Sequence, residues 1–249
     1  MKTLEKAFTI IELIEEHDGL KFNDIIELTS FKKSTVHRFL SFLIKNKYIR
    51  KDKKTSNYEL GIKFLEISSK VLSNLNIRDN AEQYLYELNK ATGETVHLAM
   101  LIGDDVIYID KKESNQAIRM ISQIGKIARP YCTGVGKAIF AFKSKGFTEK
   151  KLDEIELKKY TENTIVDRED LIQELKEIRK KGFSLDREEN ERGICCMAVP
   201  IRDHTGNVIA SISISAVKIR LDIDGLLEYN DMILDKANLI SKSLGYINK

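Results

Sequence analysis

A chain of 249 residues has room for two domains; its 42% hydrophobic residues are ample for buried cores, and its 32% charged residues argue for an aqueous setting. The longest mostly apolar run, Val208 to Val217, is interrupted by three serines and falls far short of a bilayer span. Acidic residues break the apolar positions of the N-terminus, so neither a membrane partner nor a secretory leader is expected. Three cysteines, Cys132, Cys195 and Cys196, supply no disulfide framework and fit the reducing cytoplasm.

The net charge of +3 conceals an uneven distribution. Between Lys32 and Lys54 stand nine basic side chains, opposed only by Asp52, so this stretch carries +8 and the rest of the chain −5. Such a block is either a solvated face or the footprint of a polyanion.

Taken in chain order, Leu4, Ala7, Phe8, Ile11 and Ile14 predict an amphipathic helix that ends at His17-Asp18-Gly19. A second helix is expected from Asn23 as its N-cap, with Ile25, Ile26 and Leu28 inward. After the turn Thr29-Ser30-Phe31, a third begins near Lys33-Ser34 with Val36, Phe39, Leu40, Leu43 and Ile44 on its apolar stripe. Its other face shows Lys33, Thr35, His37, Arg38, Ser41 and Lys45, a layout that matches a helix-turn-helix. Tyr48–Lys51 and Asn57–Leu60 then pair as a hairpin with Lys53–Ser56 at its tip, which makes a wing. Phosphate contacts fall to Lys32, Arg50, Lys51, Lys53 and Lys54, and base edges to the start of helix three. Lys33 and Arg38 are the strongest candidates there. Ser34 and Thr35 serve as caps or phosphate contacts, and His37 is either a bystander or a DNA contact.

Gly61–Asn76 carries Ile62, Leu65, Leu72 and Leu75 on one stripe and reads as a linker helix, or as the first helix of the second domain. From Arg78 onward, helices and strands alternate. Helices are expected over Arg78–Thr92, Asp167–Lys181 and Ile223–Leu244. Strands are expected over Thr95–Ile102, Val106–Asp110, Ala117–Gln123, Cys196–Ile201 and Asn207–Val217. The domain is therefore α+β with a mainly antiparallel sheet. The last strand sets Val208, Ala210, Ile212, Ile214 and Ala216 on one face and Ile209, Ser211, Ser213 and Ser215 on the other. The serine face is either open to solvent or the floor of a pocket, where its hydroxyls need partners. The turn Thr133-Gly134-Val135-Gly136-Lys137 leads into a helix containing Ile139, Phe140 and Phe142. It suits tight packing or an anion at free backbone N–H groups, and it lacks P-loop spacing. Arg119-Met120-Ile121 offers apolar wall residues.

The segment Ile25–Ile49, above all Lys33-Ser34-Thr35-Val36-His37-Arg38, resembles the winged helix-turn-helix of the IclR family of bacterial transcription regulators. Three later blocks, TGVGKAIFA, SLDREENERGICCMAVPI and VIASISIS, resemble that family's effector-binding domain, a GAF-like fold, and occur in the family's order. The resemblance implies a DNA-binding domain over 1–60, a linker helix over 61–77 and an effector domain over 78–249. It further implies operator DNA as partner, a homodimer or tetramer, and an effector that is a small organic, keto or sugar acid. By the same resemblance the effector pocket is lined by Met120, Gly134, Val135, Asp186, Ile194, Cys196, Ser213 and Ser215, with Asp186 either a ligand contact or a structural cap. Where the family often reads Leu-Pro-Leu-His, this chain has Ala128-Arg129-Pro130-Tyr131, and the added Arg129 cation points to an acid. An enzymatic reading through Cys195 or Cys196 lacks a nearby histidine base, since only His204 follows His97, and adjacent cysteines alone make no metal site. No cofactor is expected.

Overall fold

The computed structural model describes residues 3–73, 76–117, 120 and 122–247. It divides into two compact units, 1–75 and 76–249, so the second begins slightly before the expected Arg78.

The first unit contains α1 (Thr3–Glu16), α2 (Phe22–Thr29), α3 (Lys33–Lys45), β1 (Ile49–Lys51), β2 (Tyr58–Leu60) and α4 (Lys63–Ser73). Its core gathers Ile10, Ile14, Ile25, Val36, Phe39, Leu40, Leu43 and Ile49. The apolar positions of α1 cover more of its circumference than this small core can bury. Ile10 and Ile14 turn inward, whereas Leu4 and Phe8, expected inside, are 69% and 52% exposed. Leu28 and Ile44 likewise stay outside. Helix α2 starts two residues early. Lys21 is its N-cap in extended conformation, and its N–H donates to the Asp24 carboxylate at 3.2 Å, so Asn23 sits inside the helix. Of the expected linker helix over 61–77, the structure describes α4 up to Ser73 and the next helix from Asn76, and residues 74 and 75 lie outside the described residues. Leu72 and Leu75 of its stripe lie outside the described side chains, and Ile62 and Leu65 are exposed. Gly61 is required where it stands, since a Cβ there would sit 2.1 Å from the Lys47 carbonyl oxygen.

The second unit runs α5 (Asn76–Thr92), β3 (Thr95–Ile102), β4 (Asp105–Lys112), β5 (Ile127–Ala128), α6 (Gly134–Phe140), α7 (Lys145–Glu154), α8 (Arg168–Lys181), β6 (Ser184–Arg187), β7 (Ile194–Arg202), β8 (Val208–Val217), α9 (Ile223–Leu227) and α10 (Asn230–Ser243). Six strands form one antiparallel sheet in the order β5-β4-β3-β8-β7-β6. The fold is α+β. Val96, Leu98, Ile212 and Ile214 are fully buried on the apolar face of β3 and β8. Helices α5 and α10 pack on the sheet, as does α6, which lies against β7 and β8.

Three expectations are corrected here. Ala117–Gln123 forms no strand at its described residues (118, 119 and 121, hence Arg119 and Ile121, lie outside them), and the edge partner of β4 is Ile127–Ala128. The final helix is broken into α9 and α10 around Glu228 and Tyr229. Phe142 falls beyond the end of α6.

Candidate functional site

The first surface is built from α3 and the β1–β2 hairpin. The stripe Val36, Phe39, Leu40 and Leu43 anchors α3 inward, so geometry sends Lys33, Ser34, His37 and Arg38 to the outside with Thr35 half-buried. Lys32 is the N-cap and no side chain caps the helix, so Ser34 and Thr35 are not its caps. Lys33 reaches over the Phe22 ring at 6.0 Å and Arg38 over Phe39 at 5.4 Å; neither has a carboxylate partner among the described residues.

The lone acid of the basic block has a structural task. Asp52 Oδ1 accepts from the Lys54 N–H (2.9 Å), the Thr55 N–H (2.7 Å) and the Thr55 hydroxyl (2.9 Å), which closes the wing tip. These bonds hold its carboxyl below the usual range. Lys53 and Lys54 are thereby displayed at the tip, and Lys51 lies over the Tyr58 ring at 5.3 Å. Arg50 differs from its neighbours, because its guanidinium is already paired with Glu59 at 2.5 Å. Leu20 adds a bridge to Tyr58, which ties the hairpin to the helices.

The second site lies on the serine face of the sheet. That face is not open to solvent: Ser211, Ser213 and Ser215 are at most 3% exposed. Register places Cys196 opposite Ser215, Ala198 opposite Ser213, Asp186 opposite Cys196 and His97 opposite Ser213. Gly134 lies directly above, where a Cβ would meet those of Ala198 and Cys196 at 3.3 and 3.4 Å. Gly136 is equally constrained, 2.5 Å from the Arg129 carbonyl oxygen by the same measure, so this glycine turn packs tightly. Thr133 caps α6 by accepting from the Gly136 N–H at 3.1 Å.

Hydroxyls in this position need partners, and a residue outside the expected set supplies them. His97, 1% exposed, places Nδ1 at 3.2 Å from Ser215 Oγ and 3.5 Å from Ser213 Oγ, and Nε2 at 2.7 Å from Ser122 Oγ. Burial, aided by the nearby Lys111 charge, lowers its pKa to about 3, so the ring is neutral. Ser211 is spent on the Val199 carbonyl at 2.8 Å.

Asp186 is 2% exposed, and its Oδ1 accepts from the Glu189 N–H at 2.7 Å and the Asn190 N–H at 3.4 Å. The structural-cap reading therefore holds for one oxygen; among the described residues no hydrogen bond reaches the other. Burial, reinforced by the Glu189 charge, pushes its pKa up to about 7. Beside it, the fully buried Lys137 ammonium bonds both Glu189 oxygens at 2.6 Å and Glu174 at 3.2 Å. The three thiols are held protonated by burial, Cys132 near 12, Cys195 near 11 and Cys196 well above its ordinary value. None is a ready nucleophile.

A cleft of about 270 Å³ adjoins this floor, lined among others by Tyr108, Met120, Ser122, Arg129, Thr133 and Asn190. The Tyr108 ring lies 5.0 Å from the His97 ring, tilted by 49°. Arg129 donates to Asn190 at 2.9 Å and lies 4.0 Å over the Tyr160 ring, with no carboxylate partner among the described residues. Of the expected lining, Gly134, Asp186, Cys196, Ser213 and Ser215 meet in the buried centre, and Met120 lines the cleft. Ile194 is buried two residues along β7 from Cys196, while Val135 turns into the apolar core with Ile139 and Leu171. His97, Tyr108 and Lys111 escaped sequence reasoning because only strand pairing brings them to this face, and Ser122 because it reaches His97 from a segment outside any strand.

An exposed cationic helix with its wing, joined in one chain to an α+β unit with a polar centre, defines a DNA-binding transcriptional regulator. The model of the IclR helix-turn-helix domain matches residues 3–53, and that of the bacterial transcriptional regulator IclR C-terminal domain matches 69–242. The chain is 33% identical to the HTH-type transcriptional regulator XynR of Escherichia coli, over 99% of this chain and 98% of that one. It is 34% identical to E. coli KdgR over 97% and 92%. The crystal structure of Thermotoga maritima IclR superposes with a TM-score of 0.80 at 38% identity, covering 98% of this chain and 99% of that one. The chain belongs to the IclR family, whose members are transcriptional regulators and not enzymes. Among the described residues no helix is long and apolar enough to cross a membrane.

Proposed function

We propose that the chain reads operator DNA in the cytoplasm as a homo-oligomer, and that a small carboxylate-bearing effector bound in residues 76–249 sets its affinity. The observation that carries the reading is the pairing of an exposed cationic surface on one unit with a buried polar floor beneath an Arg129-bearing cleft on the other. Lys33 and Arg38 serve as base-reading cations, with Ser34, Thr35 and His37 beside them on the first turns of α3. Lys32, Lys51, Lys53 and Lys54 hold phosphates. Arg50 contributes less, because its charge is already spent on Glu59.

In the second unit, Ser213, Ser215 and the Gly134 turn receive the carboxylate, Asp186 meets an effector hydroxyl, Cys196 and Ile194 fill the floor, and Met120 closes the side. Val135 supports this set from the core without touching the ligand. The exposed stripe of Leu4 and Phe8 on α1 supports self-association, since large apolar side chains left in water favour a partner.

The test is a thermal-shift screen of sugar, keto and aromatic acids, followed by mobility shift on the protein's own promoter DNA. One acid is expected to raise Tm and change operator affinity, with both effects lost in Ser213→Ala. Absence of stabilisation by every acid, with operator binding intact, would remove the effector half of the reading.

A further inference from the structure

Of the contacts around His97, the one whose direction chemistry fixes begins at Lys111. Lys111 Nζ has three N–H bonds and three acceptors beside it: the Ser122 carbonyl oxygen at 2.5 Å, Ser122 Oγ at 3.4 Å and Glu113 Oε1 at 2.8 Å. An ammonium has no lone pair and only donates, so Ser122 Oγ accepts from it. The single proton of that hydroxyl then has one acceptor in reach among the described residues, His97 Nε2 at 2.7 Å. A neutral imidazole carries one N–H. With Nε2 accepting, the proton stands on Nδ1, which faces Ser215 Oγ and Ser213 Oγ. With Nδ1–H donating to the serine oxygens, the serine hydroxyl protons are left for another acceptor, and an oxygen anion is a stronger one than the Cys196 sulfur opposite Ser215.

We propose that Lys111, Ser122 and His97 form a one-way hydrogen-bond relay that presents Ser213 and Ser215 as proton donors. The floor thereby selects a ligand carrying a carboxylate over an uncharged amide or alcohol of the same shape. This rests on the acid-effector reading above and adds the residues that enforce it. His97 acts through the two serines and is a positioning residue. Lys111 supplies positive charge at the head of the relay without touching the ligand, and each bond polarises the next toward the ligand. A ligand amine brings only N–H donors to hydroxyl protons that already face it, whereas a carboxylate accepts both.

The test uses the full chain labelled with ¹⁵N-histidine. Only four imidazoles contribute signals, and His97→Asn assigns the one in question. The expected spectrum at pH 7 shows a neutral ring with its proton on Nδ1; a proton on Nε2 overturns the relay. The second arm compares calorimetric affinity for acid and neutral pairs: benzoate with benzamide, gluconate with glucitol, propionate with propionamide. Wild type is expected to prefer the acid of whichever pair binds, and Ser122→Ala and Lys111→Met to cut that preference about tenfold, the weight of one charge-assisted hydrogen bond. An unchanged preference in both variants overturns the proposal even if their folds are intact. The first arm needs no ligand, so the two failures are distinct. A proton on Nδ1 without acid binding supports the wiring and removes acid sensing, whereas acid binding with a proton on Nε2 removes the wiring alone.

Discussion

The two units handle polar chemistry in opposite ways. In the N-terminal unit an apolar core is closed by short helices and every functional cation stands outside it, arranged by Asp52 at the wing tip and by the inward stripe of α3. In the C-terminal unit the polar groups are inside. Asp186, His97 and three serines are buried on one face of the sheet beside Lys137 of α6, and their partners are inside too: Glu189 for Lys137, backbone N–H groups for one Asp186 oxygen, His97 for Ser213 and Ser215, and the Val199 carbonyl for Ser211. The lesson is that a surface for a polyanion needs charge and exposure, while a receptor for a small molecule needs desolvated donors held in advance.

The sharpest way to break this contrast is to remove a buried charge. Lys137→Met leaves the 4%-exposed Glu189 without its cation, so the C-terminal unit is expected to lose about 3–5 kcal/mol in urea unfolding. A loss below about 1 kcal/mol would mean that this interior is wetter than its burial indicates. On the outer surface Arg38→Ala is expected to weaken operator binding by about 1–3 kcal/mol in fluorescence anisotropy, without altering Tm. The same substitution leaving affinity intact would take α3 out of base reading.

Asp186 gives a pH signature that the outer cations lack. Its folded pKa of about 7 lies above the ordinary 3.8, so the folded state holds an extra proton between those values. The stabilisation is full below 3.8 and is lost as pH rises through 7. Stability of the C-terminal unit should therefore fall from pH 5 to pH 8 and fall less steeply in Asp186→Asn. Some slope persists, because burial raises Glu189 in the same direction. The smallest effect belongs to the wing. Lys53→Ala should reduce the slope of log affinity against log salt by about 0.9 for each phosphate contact removed, whereas Arg50→Ala, whose charge Glu59 already holds, should change it less.

How much the sequence disclosed follows the same division. The helix-turn-helix was legible because charge and apolar period coincide on α3, and caps made α8 legible, with Asp167 accepting from the Asp170 N–H and Gly182 in the left-handed conformation. Strand β3 was read to its observed ends as the first arm of a hairpin around Gly103-Asp104-Asp105. Helix α7 was not foreseen: only Leu152 of its ten residues is buried, so no apolar period announces it. The supposed strand at 117–123 and the inward Leu4 and Phe8 show the opposite failure, a local pattern with no tertiary partner to honour it. Of the inner site, the serines of β8 were visible by alternation. His97 and Lys111 were not, since their place depends on the β3–β4 and β3–β8 registers, to which residue order gives no direct access.

Operator reading requires that the cationic surface of α3 and the wing seat itself on duplex DNA. Operator affinity measured from 50 to 200 mM salt tests this directly. A dimer making about 6–10 phosphate contacts should lose roughly 10³-fold or more across that range. Affinity that does not change with salt would contradict it.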